Sequence, residues 1–442
     1  MSQQSPDPAM PEQPRPAHTT HAAAPYLQTV LKVLGGSVAA QAIPLLVLLL
    51  LTRLVSVEAL GVFSIWQSVI YIAMVLASAR MDILLVSLPA ASDRHLAFKI
   101  GMISSIGIGL LLSLAACLLT DLINSRLPGW QLSASVLLGM GVWALAMQTL
   151  WLSLAIASGA FGVVNRIRIT SAGLTAVLQV ILVWFRPEPM MLMLGFVLGT
   201  SCGSWAAWAG LSHHPANQAG TTTIDTDRWT PASGCRDLLK KHGRIPMIAM
   251  PAALINAVAQ QLPLMLTGVR FGEEAAGFLG LAWRSISAPM SIISNSAQDV
   301  FKKKAADEYN RSGQCRAAYL QTLRLLAFLA IFPSAVLFWW GPDLFALAFG
   351  DKFRPAGEVA RIFAPLLYVR FFASPLGYTF LIVRQPKIDL FWQIGLLAMS
   401  ATAFLVTDEA MTAFKAFSAG YAGMYVLYLI LQWRAAGGRH PL

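Results

Sequence analysis

The chain has 442 residues, of which 56% are apolar and only 12% charged, with a mean hydropathy of +0.62. An ordinary soluble domain carries about 25% charge, so this composition excludes a soluble globular protein. The formal net charge of +11 does not point to nucleic acid, because Lys and Arg sit at the edges of apolar blocks, where they set membrane topology.

The first residues are rich in Ser, Gln, Pro, His and Ala, and residues 1–27 are expected to be a disordered tail. No charged n-region precedes a short apolar core and a small-residue cleavage site, so the first apolar block reads as a retained span. Apolar blocks of roughly twenty residues, the length that crosses about 30 Å of hydrocarbon, then recur along the chain. They predict spans at 33–52, 59–79, 100–120, 133–158, 167–185, 189–211, 245–269, 275–298, 322–341, 360–383, 389–407 and 412–433.

Orientation follows from the basic residues. With the N-terminus in the cytoplasm, twenty-two Lys and Arg fall on the inner side and eight on the outer side, a positive-inside bias for N-in, C-in. An odd number of spans would scramble that alternation. The long basic loop 213–243 separates an N-terminal lobe, 28–212, from a C-terminal lobe, 244–434, and 435–442 form a second cytoplasmic tail. No outer loop is long enough to fold as a catalytic domain. The expected class is an all-α integral membrane protein with about twelve transmembrane helices in two six-helix bundles.

The two halves share a pattern. Gln41-Ala-Ile-Pro44 leads through an apolar run to Glu58-Ala-Leu-Gly61-Val-Phe63 and Trp66-Gln67-Ser68. Gln260-Gln261-Leu-Pro263 leads likewise to Glu274-Ala-Ala-Gly277-Phe278 and Trp283-Arg284-Ser285. Both stretches begin in the cytoplasm, so the halves form a parallel repeat about a pseudo-two-fold axis along the membrane normal. A substrate site is expected between them. Chance similarity between apolar segments is the alternative.

Two charged residues lie well inside spans, Arg284 and Arg370, each about 15 Å deep at 1.5 Å per residue. Inserting each costs at least about 2.5–3.5 kcal/mol, which marks a polar interior and a function. No Asp or Glu is expected within a span to pair with them. They therefore read as a site for an anion, and the guanidinium fork suits phosphate. The competing explanation is an Arg bonded to carbonyls freed by Pro289 or Pro375. Gln67, Asn256, Gln260 and Gln261, with Gln41, Gln148 and Gln179, either bind sugar hydroxyls or bridge helices. Prolines at 44, 251, 263, 289, 333, 365 and 375 mark expected kinks.

Cys117, Cys202, Cys235 and Cys315 have no metal-ligand spacing, no phosphate-cradling glycine loop is present, and no cofactor is implied. With no carboxylate in a span, an ion relay has only Asp82 and Asp299, at inner span ends, as weak candidates.

Leu51-Thr-Arg53-Leu-Val55 followed by Glu58-Ala-Leu-Gly61-Val-Phe63 resembles the opening signature of bacterial polysaccharide-repeat flippases of the Wzx type. Arg244-Ile-Pro246, Pro251-Ala-Ala-Leu-Ile-Asn256, Gly272-Glu-Glu-Ala-Ala-Gly277 and Trp283-Arg284-Ser-Ile-Ser-Ala-Pro289 extend the resemblance into the second half. These flippases share a superfamily with multidrug extruders and the lipid II flippase. The resemblance implies a central cationic cavity and transfer of an undecaprenyl-diphosphate-linked oligosaccharide from the inner to the outer leaflet of the bacterial inner membrane. Arg284, Arg370 and Arg53 are then candidates for contacting that substrate. Membrane lipids, a polysaccharide polymerase and chain-length proteins are the implied partners. A multidrug extruder, or a membrane-embedded glycan polymerase or ligase, is the alternative.

Overall fold

The computed structural model describes residues 41–88, 90–127, 130–212, 232–383 and 385–437. The expected tail 1–27, the start of the first span, most of the linker and residues 438–442 lie outside them. The described chain is helical and holds no strand. The first half contains α1 (Gln41–Leu54), α2 (Val57–Ala77), α3 (Met81–Ser87), α4 (Ala91–Leu118), α5 (Thr120–Asn124), α6 (Leu132–Ala157), α7 (Phe161–Phe185) and α8 (Pro189–Ser212). The second contains α9 (Ala232–His242), α10 (Arg244–Ser312), α11 (Arg316–Phe349), α12 (Arg354–Leu376), α13 (Tyr378–Ile382), α14 (Pro386–Val406) and α15 (Ala410–Ala436).

Ten of the described helices are long and apolar enough to cross a membrane, and α1 is a shorter apolar helix. One of the ten, Ala249–Ser287 within α10, takes in most of the seventh expected span and the first half of the eighth. No loop separates its two limbs, yet Gly272 has φ +91°, a conformation that only glycine adopts readily, and the helix reverses there. Against the twelve expected spans, the described residues thus give ten candidates, one of them holding two limbs, beside the shorter α1. Pro251, Pro263 and Pro289 all lie inside α10, but its non-helical residue is Gly272 and not a proline. The expected boundaries shift mainly at α11 and α4, which extend beyond their apolar centres into polar ends.

Large apolar side chains face outward in rows. Leu110, Leu111, Leu114 and Leu118 of α4 and Phe328, Phe332 and Trp339 of α11 are all exposed. In water such rows would be costly, whereas in lipid they match the solvent. Inside the first lobe, Trp66 is fully buried, donates Nε1 to Ala134 O at 3.1 Å and meets Phe196 edge-on at 5.7 Å. The second lobe is centred on Phe363, Phe404, Phe414 and Phe417.

Small residues bring helices together where lipid provides no hydrophobic drive between them. On α8, Gly195, Gly199 and Gly203 recur every fourth residue and lie against Gln179, Thr175 and Ser171 of α7. A Cβ on Gly199 would stand 2.4 Å from Thr175 Cα. Between the lobes, α2 packs on α10 through a reciprocal pair. A Cβ on Gly61 would fall 1.8 Å from Glu273 O, and one on Gly277 would fall 2.2 Å from Val57 O. The same sequence offset takes Gly61 to Gly277 and Val57 to Glu273, so exchanging the lobes exchanges the two contacts. This is the pseudo-two-fold expected from the repeat, in a register that sets Gln67 one residue away from Arg284. The glycines lie near the end of the bundle that carries the α1–α2 turn and the Gly272 bend. At that end Lys352 Nζ also donates to Val55 O at 2.6 Å, and Arg53 Nη2 to Leu347 O at 3.3 Å.

Candidate functional site: a cationic cavity at the lobe interface

Beside the α2–α10 contact lies a cavity of about 650 Å³. Its wall comes from α1, α2, α6, α7, α8 and both limbs of α10. The volume is in the usual range of small-molecule sites. Much of the wall is apolar or aromatic, including Phe63, Phe196 and Trp283. Among the described residues its charged side chains are Arg168 and Arg284, with no Asp or Glu.

Arg284 joins the two lobes. Its Nη2 donates to Gln67 Oε1, its Cζ lies 5.1 Å from the Phe63 ring centroid, and Tyr71 is its electrostatic neighbour. The ring face and the amide dipole hold the guanidinium in the cavity wall without neutralising its charge. Counting along the helices from the Gly272 bend and from Val57 places Arg284 and Gln67 about 15–18 Å from the glycine end.

Arg370 is positioned differently. Its Cζ lies 5.0 Å from the Trp283 ring centroid, on a tryptophan that itself meets Phe363 edge-on at 5.9 Å. Arg370 also neighbours Tyr421 and Tyr425. Trp283 lines the cavity and Arg370 does not, so the second arginine supports the wall from within the C-terminal lobe. The structure therefore brings Arg284, Gln67 and Gln261 to one cavity and leaves the other candidates off its wall.

Arg53 is exposed and bonded to Leu347 O at the glycine end. Asn256 and Gln260 are exposed. The reason is angular: at 100° per residue, Asn256 and Gln260 share a face one turn apart, and Gln261 lies on another. Of the remaining amides, Gln41 and Gln148 line the cavity, while Gln179 also donates to Leu192 O at 2.9 Å and bridges two helices.

The structure adds two features to those expected from the sequence. Arg168, one of the inner-edge topology charges, is the eighth residue of α7 and lines the cavity. Ser171, Thr175 and Gln179 follow it at intervals of three and four, a polar stripe that the sequence itself displays. The other is Asp389. The expectation that spans hold no carboxylate is corrected, because Asp389 lies in the first turn of α14. It accepts hydrogen bonds from the Tyr428 hydroxyl and from Gln393 Nε2, the latter at 2.8 Å, and Trp392 stacks on Tyr428 at 3.9 Å. The residue stands at the first position of the expected span, where a carboxylate resembles a boundary. It lies outside the cavity wall. Asp299 falls on a side chain outside the described ones.

Comparison with known proteins agrees with this architecture. Over 171 residues, 37% of the chain, it is 25% identical to the teichuronic acid biosynthesis protein TuaB of Bacillus subtilis (strain 168). That stretch spans 34% of the relative's length. Two solved structures share the fold. An inward-closed lipid II flippase MurJ superposes with a TM-score of 0.69 at 12% identity, covering 92% of this chain and 87% of that one. An inward-facing multidrug resistance MATE family transporter of the MOP superfamily does so with a TM-score of 0.66 at 13% identity, covering 92% and 94%. The protein is thus a multi-pass membrane protein with a flippase and transporter fold. Residues 50–358, well over half of the chain, match the family described as polysaccharide biosynthesis protein, and the chain belongs to that family.

Proposed function

We propose that the protein translocates an undecaprenyl-diphosphate-linked oligosaccharide from the inner to the outer leaflet of the bacterial inner membrane, by alternating access around the cavity. The observation that carries this reading is Arg284. It is an intramembrane guanidinium held at the lobe interface, in a wall whose described residues include no carboxylate. A cationic drug would meet repulsion there, whereas a diphosphate would meet a charge-assisted fork. Membership of a polysaccharide biosynthesis family supports the oligosaccharide, and the flippase fold supports movement between leaflets. Polymerase and chain-length proteins are natural partners downstream of such a step.

In this reading the glycine end faces the periplasm. It is closed by Gly61, Gly277, Arg53 and Lys352, and the cavity is reached from the cytoplasm. Reporter fusions after residues 310 and 225 should accordingly report cytoplasm, and fusions after 271 and 352 periplasm. The reverse pattern at any two sites would overturn the topology. Transport itself is tested in proteoliposomes with undecaprenyl diphosphate carrying a fluorescent oligosaccharide. The purified protein should render the inner-leaflet pool accessible to an external quencher. Accessibility no greater than in protein-free vesicles would sink the proposal.

A further inference from the structure

A pair of cations lies on the outer surface of the C-terminal lobe, away from the cavity. Lys304, near the end of α10, donates Nζ to Gln321 Oε1 on α11 at 2.8 Å, and Arg324 stands one turn further along α11. All three side chains are exposed. Among the described residues neither cation has an ion-pair partner. Of the two carboxylates one turn from Lys304, Asp307 forms no such pair. The other, Glu308, accepts from Ala317 N and Ala318 N at 3.0 and 2.7 Å, at the start of α11.

On the membrane side the setting is apolar. Along α11 the exposed stripe continues from Gln321 and Arg324 through Leu325 and Phe328 to Phe332, at steps of three and four residues. On α10, Val300 is exposed one turn before Lys304. The opposite end of α11 carries exposed Trp339 and Trp340, a residue type enriched where a membrane meets water. Sixteen residues, about 24 Å of helix, separate Trp340 from Arg324. Against a hydrocarbon core of about 30 Å, Arg324 and Lys304 therefore stand at the headgroup boundary of the other leaflet, and apolar rows lead from them into the bilayer.

We propose that this rim is a binding site for a single anionic glycerophospholipid. Lys304 and Arg324 hold the phosphate of its headgroup, with the Gln321 amide N–H groups beside them, and its acyl chains lie along Leu325, Phe328 and Phe332. A free phosphate would leave the apolar half of the surface uncovered. The lipid clamps the end of α10, the helix that carries Arg284, to α11. On the proposed topology the site faces the inner leaflet, where anionic lipid attracts basic residues near the surface. It lies apart from the cavity and holds whatever the transported molecule is.

The test is native mass spectrometry of the delipidated protein in detergent, titrated with dioleoyl phosphatidylglycerol or with dioleoyl phosphatidylcholine. The two lipids share their acyl chains and differ in headgroup charge. Each cation near an anionic lipid contributes about five-fold, so wild type should bind one phosphatidylglycerol about thirty-fold more tightly than phosphatidylcholine. The Lys304→Gln, Arg324→Gln double variant should lose most of that preference, while Arg324→Lys, which keeps the charge, should retain it. Lys303→Gln, Arg311→Gln removes the same charge from neighbouring exposed positions and should leave the preference unchanged, which a diffuse attraction to a basic surface would not do. Equal affinities in wild type, an equal loss in the two double variants, or stronger binding of undecaprenyl phosphate through the same two cations would overturn the proposal. None of these results bears on translocation.

Discussion

Replacing Gly61 by leucine should abolish transport, and Gly277→Leu should do the same. Alanine at either place should already impair it severely. An added Cβ at Gly61 would lie 1.8 Å from the Glu273 carbonyl oxygen, and one at Gly277 2.2 Å from Val57 O. Both obstacles are backbone atoms of regular helices, so no rotamer change relieves them and α2 and α10 must separate. Overpacking of this kind costs about 1–3 kcal/mol in a well-packed interior. On the proposed alternating-access cycle the strain falls on one conformation only, the one in which the glycine end is closed. The cost therefore becomes a population shift, and about 2.8 kcal/mol against the closed end changes the ratio of states roughly a hundred-fold. Maleimide labelling of Gln67→Cys in a cysteine-free background would report it. The Gly61→Leu protein should label from the α1–α2 side faster than its parent, at normal protein levels. Gly162→Ala, with nothing near its Cβ position, should behave as the parent. Wild-type transport by both Gly61→Leu and Gly277→Leu would show that the closed contact is never visited in the cycle.

That contact also illustrates what the sequence reveals and where it stops. The repeat Glu58-Ala-Leu-Gly61 and Glu274-Ala-Ala-Gly277 is legible as a pattern, and the spans are legible because hydrocarbon thickness fixes their length. Depth is legible too, since residue counts convert to ångströms along a helix, and this is how Arg284 stands out. Azimuth is not given by depth. Arg370 is as deep as Arg284, yet it points into the second lobe behind Trp283. Gln260 and Gln261 are neighbours in sequence and lie on different faces of one helix. The register between lobes is a tertiary quantity, and it places Arg284 against Gln67 through contacts some two hundred residues apart in the chain. Charges near span ends carry a different ambiguity. The positive-inside bias explains them as a group, so it conceals the member that also lines the cavity. Arg168 is such a case, and the polar stripe Ser171, Thr175 and Gln179 on the same helix face is the sequence signal for it. Asp389 is hidden at a span end for the same reason, and its bond to Tyr428 is visible only once α14 and α15 are packed together.

Arg284→Ala should abolish polymer export while the protein still inserts and accumulates. Carrying a diphosphate through the membrane midplane unassisted is prohibitive, because an isolated ion in low dielectric costs many kcal/mol. On the proposed mechanism Arg284 offsets part of that cost through its fork, and charge-assisted hydrogen bonds net about 1.5–3 kcal/mol each. Two such bonds amount to about 3–6 kcal/mol, so their loss slows translocation at least a hundred-fold. Arg284→Lys should recover a minor part, because a point charge lacks the planar fork and loses the geometry over Phe63 and toward Gln67. Gln67→Ala should have a smaller effect, leaving the cation in place but less well oriented. Arg370→Ala should also weaken export less than Arg284→Ala, for its guanidinium supports Trp283 and does not line the cavity. The measurement is complementation of a deletion strain, scored by surface polysaccharide and by lipid-linked intermediate retained in the inner leaflet. The expected order of severity is Arg284→Ala, then Arg284→Lys, then Arg370→Ala and Gln67→Ala. Retained intermediate should be greatest in the most severe variant and follow the same order, since a block after synthesis accumulates the substrate and does not deplete it. Normal export from the Arg284→Ala, Arg370→Ala double variant at wild-type protein levels would rule out the anion site as the basis of transport.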